Sequence, residues 1–128
     1  MRTFIFNKLV RDNIVPSMTD LGSTPHTKKI NDTEFIHELV KKIQEEAREF
    51  ELQPNDDVVE LIADVQEVLD TLRTTMGITE AQVTEKQKEK MNKTGGFESR
   101  DFISTIECPD NYPWIEYYEN NPEKYPEV

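Results

Sequence analysis

The residues best able to do chemistry in this 128-residue chain are carboxylates. Glu45, Glu46 and Glu49 lie in a stretch where Phe35, Ile36, Leu39, Val40, Ile43, Ala47 and Phe50 recur with the period of an amphipathic helix. On that helix Glu46 stands on the flank of the apolar stripe beside Leu39 and Ile43, Glu49 lies further round the same side, and Glu45 lies at the back. A second stripe, Val58, Leu61, Ile62, Val65, Leu69, Leu72 and Met76, carries Asp64 on its flank, with Glu60 and Glu67 just beyond and Asp57 two turns back. If the two stripes pack antiparallel, the acidic flanks meet at one rim. Carboxylates crowded there raise one another's pKa unless a cation neutralises them. A hard divalent ion would do so, because Mg²⁺, or alternatively Mn²⁺, takes oxygen ligands and bridges carboxylates to phosphate oxygens. The competing reading is a solvated acidic face. Glu46 argues against it, because a purely structural helix places an apolar residue there, and Asp64 is the next best witness.

Cationic candidates are fewer. Lys86, Lys90 and Lys93, spaced i, i+4, i+7, share a helix face just before Gly95-Gly96-Phe97. They could clamp a polyphosphate, or form a solubilising face balanced by Glu85 and Glu89. Lys8 and Arg11 form a second basic site, where Arg11 either meets phosphate or pairs with Asp12 or a carboxylate of the first long helix. The glycine pair is a helix stop rather than a phosphate-binding loop, since neither the spacing nor a preceding strand is present. His26 and His37 are isolated, no zinc spacing exists, and Cys108 has no evident base. Tyr112, Trp114, Tyr117 and Tyr118 form either a base-stacking surface or a packing strap.

The elements positioning these residues are helical. Asn7, followed by Leu9, Val10 and Ile14, predicts a short helix ending before Pro16, after an extended piece at Phe4 and Phe6. Residues 17–30 read as an irregular crossing with a brief strand at 26–30. The first long helix is expected over 33–52, capped by Asn31 or Asp32 and ended by Pro54. The second is expected over 57–76, capped by Asn55 or Asp56 and closed by Gly77. Thr79 and Gln82 start a third as a capping box, reaching about Asn92. That helix is poor in apolar residues and so belongs on a surface. The Pro- and Tyr-rich segment after Ile106 excludes a regular helix; it wraps on the body through its rings or is partly disordered. The expected organisation is a domain over 1–106 and a tail over 107–128.

Composition bounds the partners. Lys and Arg total 15 against 26 Asp and Glu, a net charge of −11, and such a chain repels a long nucleic acid unless it carries a dense basic patch. Only 35% of residues are hydrophobic, and the mean hydropathy is −0.73. That is lean for a self-contained core, so part of the apolar surface is expected between subunits, in a homodimer or homotetramer. No apolar run is long enough to span a membrane or to resemble a secretory signal, and a lone cysteine forms no internal disulfide. A cytoplasmic, reducing location is the expectation.

Four segments in order resemble the all-α nucleoside triphosphate pyrophosphohydrolases, the MazG-like and phosphoribosyl-ATP pyrophosphohydrolase-like superfamily. FNKLVRDNIVP is similar to the N-terminal NKLVRDKIP of one small branch, EEAREF to the family's E-E-x-x-E, ELIADVQEV to its E-E-L-A-D-V-x-E-V, and KEKMNKTGGFESR to its Lys-rich helix running into G-G-F. The resemblance covers roughly residues 5–103. It implies an all-α helical bundle, often completed by dimerisation, that uses Mg²⁺ to hydrolyse a nucleotide between its α and β phosphates. By the same resemblance Glu46 and Glu49 match the E-x-x-E ligands and Asp64 the aspartate of the second motif. Leu61 stands where the family has the preceding glutamate, leaving Glu60 or Glu67 to substitute. Asn13 replaces a lysine of the N-terminal signature, and Val15 is inserted before Pro16.

The expectation is therefore a pyrophosphohydrolase cleaving a nucleoside triphosphate, or a phosphoribosyl-ATP-like nucleotide, in nucleotide-pool housecleaning. In it Glu46, Glu49, Asp64 and Glu60 or Glu67 hold Mg²⁺, and Glu45 or Glu49 orients the water. Lys8, Arg11, Lys86, Lys90 or Lys93 neutralises the phosphates. Two readings from other classes compete. One is a catalytically silent nucleotide-binding or acidic protein-interaction module; the other is an acidic decoy for a nucleic-acid-binding protein.

Overall fold

The computed structural model describes residues 1–52 and 57–128, and the described residues form helices and no strands. Two units are distinguished, Met1–Lys90 and Met91–Val128. In the first, α1 (Ile14–Asp20) precedes two long helices, α2 (Asp32–Leu52) and α3 (Val58–Thr75), and α4 (Glu80–Thr94) runs through the division. The second unit contains the five-residue α5 (Ile115–Glu119).

Local chemistry sets the helix ends. The Glu34 amide donates to Asn31 Oδ1 at 2.8 Å, and the Glu60 amide to Asp57 Oδ1 at 3.1 Å, so each long helix has a side-chain cap on its orphan donors. The expected stop at Pro54 and the caps Asn55 and Asp56 lie outside the described residues. Gly77 ends the α3 turn at φ +70°, a conformation that costs most residues energy and glycine none. At α4 the capping box closes reciprocally: the Thr79 amide donates to Gln82 Oε1 at 2.8 Å, and the Gln82 amide to Thr79 Oγ1 at 3.1 Å.

Three expectations are corrected. The short N-terminal helix begins at Ile14 and contains Pro16 instead of ending before it, because a proline in the first turn lacks only an N–H that would have no partner there. No strand forms at residues 26–30, since a lone extended segment without a ladder partner gains nothing from strand geometry. The tail does contain a helix, α5, in the proline-free stretch between Pro113 and Pro122. Its rings pack locally: Tyr118 and Tyr125 lie 4.9 Å apart between centroids, Tyr117 and Tyr125 5.7 Å, and Trp114 meets Tyr117 edge-on at 6.0 Å. Each such contact contributes about 0.5–1.5 kcal/mol beyond the area it buries.

The core is thin. Helices α2 and α3 pack against each other, yet Leu39 at 3% and Leu61 at 7% exposure are the only buried side chains among the described residues. Helix α4 buries no residue, in keeping with its sparse apolar content. Much of the α3 stripe stays open, with Val58, Ile62 and Leu69 all exposed.

With so little interior, each buried leucine carries a large share of the stability. Leu61→Ala is expected to destabilise the chain by about 2–4 kcal/mol, whereas Val59→Ala, at a position 77% exposed, should shift it by less than about 0.5 kcal/mol. Urea unfolding of both variants checks this, and equal midpoints would show that the α2 and α3 packing does not depend on Leu61.

Candidate functional site

The site is built where one turn of α2 faces one turn of α3. Caps at Asn31 and Asp57 fix where each helix starts, and the packed stripes fix its rotation. Glu46 and Asp64 consequently sit half-buried on facing flanks. Burial raises the proton affinity of Glu46 above that of an ordinary glutamate, and the charge of Asp64 adds to this. Lys42 opposes the shift, while Glu49 and Glu45 reinforce it. Across the two helices, Glu46 and Asp64 are the carboxylates shown to influence each other.

Cations from the N-terminal segment lie across this rim. Arg11 Nη2 donates to Asp64 Oδ1 at 2.8 Å, and Lys8 Nζ lies 3.1 Å from Glu45 Oε1. Arg11 thus pairs with the second long helix, not with Asp12 or the first. Lys42, one turn before Glu45 on α2, holds the other Glu45 oxygen at 3.1 Å. Burial pushes the Glu45 carboxyl up, but its hydrogen bonds to Lys8 and Lys42 outweigh that and hold it below the ordinary range. Neighbouring glutamates on one helix therefore have opposite characters: Glu45 is a well-compensated anion, Glu46 a reluctant one.

The remaining candidates stand apart. Glu49, Glu60 and Glu67 are exposed; Glu49 reaches Glu46 electrostatically, and Glu60 lies in the first turn of α3. Leu61 is buried, so the position that carries a glutamate in the resembled family serves the helix packing here. Lys86 pairs with Glu89 of its own helix at 2.9 Å, the balanced arrangement expected of a solvated face. Lys90 lies on the same helix, and Lys93 belongs to the second unit. Lys42 is absent from the candidates that the sequence suggests, although its i, i+3 spacing to Glu45 is a sequence-visible pair.

The donor set suits a hard cation, since Glu46, Glu49 and Asp64 offer only oxygen. Among the described residues no three carboxylate, imidazole or thiol groups stand close enough together to hold one ion. Asp64 is engaged by Arg11 instead, and Glu49 is exposed.

The two glutamates predict opposite pH responses in chelator-treated protein. Because the folded state favours protonated Glu46, its contribution to stability falls as pH rises through and above the ordinary glutamate range; Glu46→Gln should raise Tm at pH 7 and leave it nearly unchanged at pH 4. Glu45 works the other way, contributing above that range and losing its contribution in acid, so Glu45→Gln should lower Tm at pH 7. Thermal melts from pH 4 to 7 measure both, and a lower Tm for Glu46→Gln at pH 7 would contradict the assigned environment. No protein-family profile, no curated protein and no solved structure matches this chain.

Proposed function

We propose that the chain is a Mg²⁺-dependent nucleotide pyrophosphohydrolase, cleaving a nucleoside triphosphate or a phosphoribosyl-ATP-like nucleotide to a monophosphate and pyrophosphate in nucleotide-pool housecleaning. The observation that carries this reading is Glu46, half-buried and facing Asp64, with Glu49 and Glu45 adding negative charge. Such a position gains from an added cation, and Arg11 and Lys8 at the same rim suit a polyphosphate. Order along the chain supports it too, because the segments resembling the family's acidic motifs are those whose carboxylates meet.

Glu46, Glu49 and Asp64 would hold the ion. When bound, Mg²⁺ neutralises the phosphate oxygens and lowers the pKa of a coordinated water. The protein's own groups divide the remaining work. Glu46 or Glu49 accepts the proton of the attacking water as the anhydride bond breaks and the pyrophosphate departs. Glu45 is a poorer base than Glu46, since its two lysines favour the charged form; it positions Lys8 and Lys42 at the edge of the rim. Arg11 transfers from Asp64 to a phosphate, exchanging one charge-assisted pair for another.

A second copy of the chain is part of the proposal. Phe50, Leu61, Ile62, Val65, Gln66 and Leu69 line an open groove of about 310 Å³, in a chain with only two buried side chains among its described residues. A stable interface covers about 800 Å² on each partner, which the exposed α3 stripe begins to supply. No helix among the described residues is long and apolar enough to cross a membrane. The second functional reading, a catalytically silent nucleotide-binding or acidic protein-interaction module, is favoured by two observations: Leu61 is buried where a ligand is expected, and Arg11 holds Asp64.

A panel of common and modified nucleoside triphosphates with phosphoribosyl-ATP, assayed for pyrophosphate release with and without Mg²⁺, separates the two. The enzyme reading expects Mg²⁺-dependent release that drops by about a hundredfold or more in Glu46→Gln and in Asp64→Asn. Binding without turnover across the panel favours the silent module, and turnover indifferent to both substitutions removes the site assignment. Light scattering on the eluting protein should give twice the chain mass or more, with Ile62→Asp shifting it toward the monomer.

A further inference from the structure

A second concavity opens beside the acidic rim, between the N-terminal segment and α2. It holds about 260 Å³. Its floor is one face of α2, where Glu38, Lys41, Lys42 and Glu45 follow at i, i+3, i+4 and i+7. With a rise of 1.5 Å per residue, this floor runs about 10 Å along the helix and ends at Glu45, next to Glu46. The opposite wall is Phe6, Asn7, Lys8 and Leu9.

We propose that this cavity takes the nucleobase and sugar of a nucleotide whose phosphates lie at the Glu46 and Asp64 rim. The inference rests on the nucleotide reading above and adds to it the residues that select the base. Volume supports the division, because 260 Å³ falls short of the roughly 300–1,000 Å³ of a pocket for a whole drug-sized ligand. A nucleoside part fits while the polyphosphate stays outside.

The wall chemistry is that of base recognition. Phe6 lines the cavity and is 54% exposed overall, and an aromatic face stacks any base. Asn7 carries both a donor and an acceptor on one amide, the pairing that reads the edge of a purine or pyrimidine. Its backbone sits at φ +47°, in the left-handed region that asparagine tolerates better than most residues. Two lysines stand at the Glu45 end of the floor: Lys8 and Lys42 both reach Glu45 at 3.1 Å, and these two cations with one anion leave a net positive charge for the first phosphate of a bound nucleotide. Lys41, 3.4 Å from Glu38, lies along the floor, keeping the far end polar.

The test uses the full chain and probes that separate the two parts of a nucleotide. Calorimetric titrations with AMP, GMP, CMP and UMP in EDTA read the cavity; inorganic tripolyphosphate with Mg²⁺ reads the rim. Phe6→Ala is expected to weaken the nucleoside monophosphates about tenfold while leaving tripolyphosphate unchanged. Asn7→Gly keeps the positive-φ backbone without steric strain, and should narrow the differences among the four bases. Since Phe6 and Asn7 are exposed, unchanged melting curves should accompany both variants. The inference is overturned if wild-type protein binds none of the four monophosphates, if Phe6→Ala weakens both probes equally, or if it weakens neither. Base-dependent binding lost in Phe6→Ala, in a protein that hydrolyses nothing, would retain the cavity assignment and remove the enzyme. Hydrolysis indifferent to Phe6 and Asn7 would do the reverse.

Discussion

Everything described depends on the packing of α2 against α3 over a strip that buries only Leu39 and Leu61 among the described residues. Burial of one leucine contributes about 1.5–3 kcal/mol, so losing either side chain removes much of what the strip holds. The strip nevertheless fixes the geometry that matters. It sets the rotation of each helix, and rotation decides that Glu46 faces Asp64 while Glu45 turns toward Lys8.

The same packing explains why neighbouring carboxylates differ. Glu46 is on the flank nearest the partner helix, where water is partly displaced and a second carboxylate faces it. Glu45 is one residue, about 100°, further round, where two lysines reach it. A one-residue change of helix rotation would put Glu45 in the environment that Glu46 now has. Replacing Leu61 by the glutamate of the resembled family would therefore set a carboxylate into the strip that orients both helices, a cost several times that of an exposed change.

Much of this is legible in the sequence. The apolar period locates both long helices and puts Glu46 and Asp64 on flanks; Asn31, Thr79 with Gln82, and Gly77 mark ends through capping chemistry that acts within four residues. What escapes depends on contacts distant in sequence or on context. Proline reads as a terminator at Pro16 although it sits in a first turn, where the same ring is harmless. The reach of Arg11 to Asp64 spans 53 positions, and no local pattern reports such a pair. Phe6 and Asn7 carry no signal as wall residues, because a wall exists only once α2 lies opposite.

The attachment of the N-terminal segment has a dynamic consequence. It is tied to the helices by two ion pairs whose members are partly exposed, and such pairs contribute about 0–1 kcal/mol each and weaken with added salt. Leu9 and Val10 add only half-buried contacts. The segment is therefore expected to open more often than α2 and α3 unfold, so its amide hydrogens should exchange with solvent through a local opening rather than a global one. Ionic strength should set how often that opening occurs, and the wall carrying Phe6 and Asn7 would open with it while α2 and α3 stay packed.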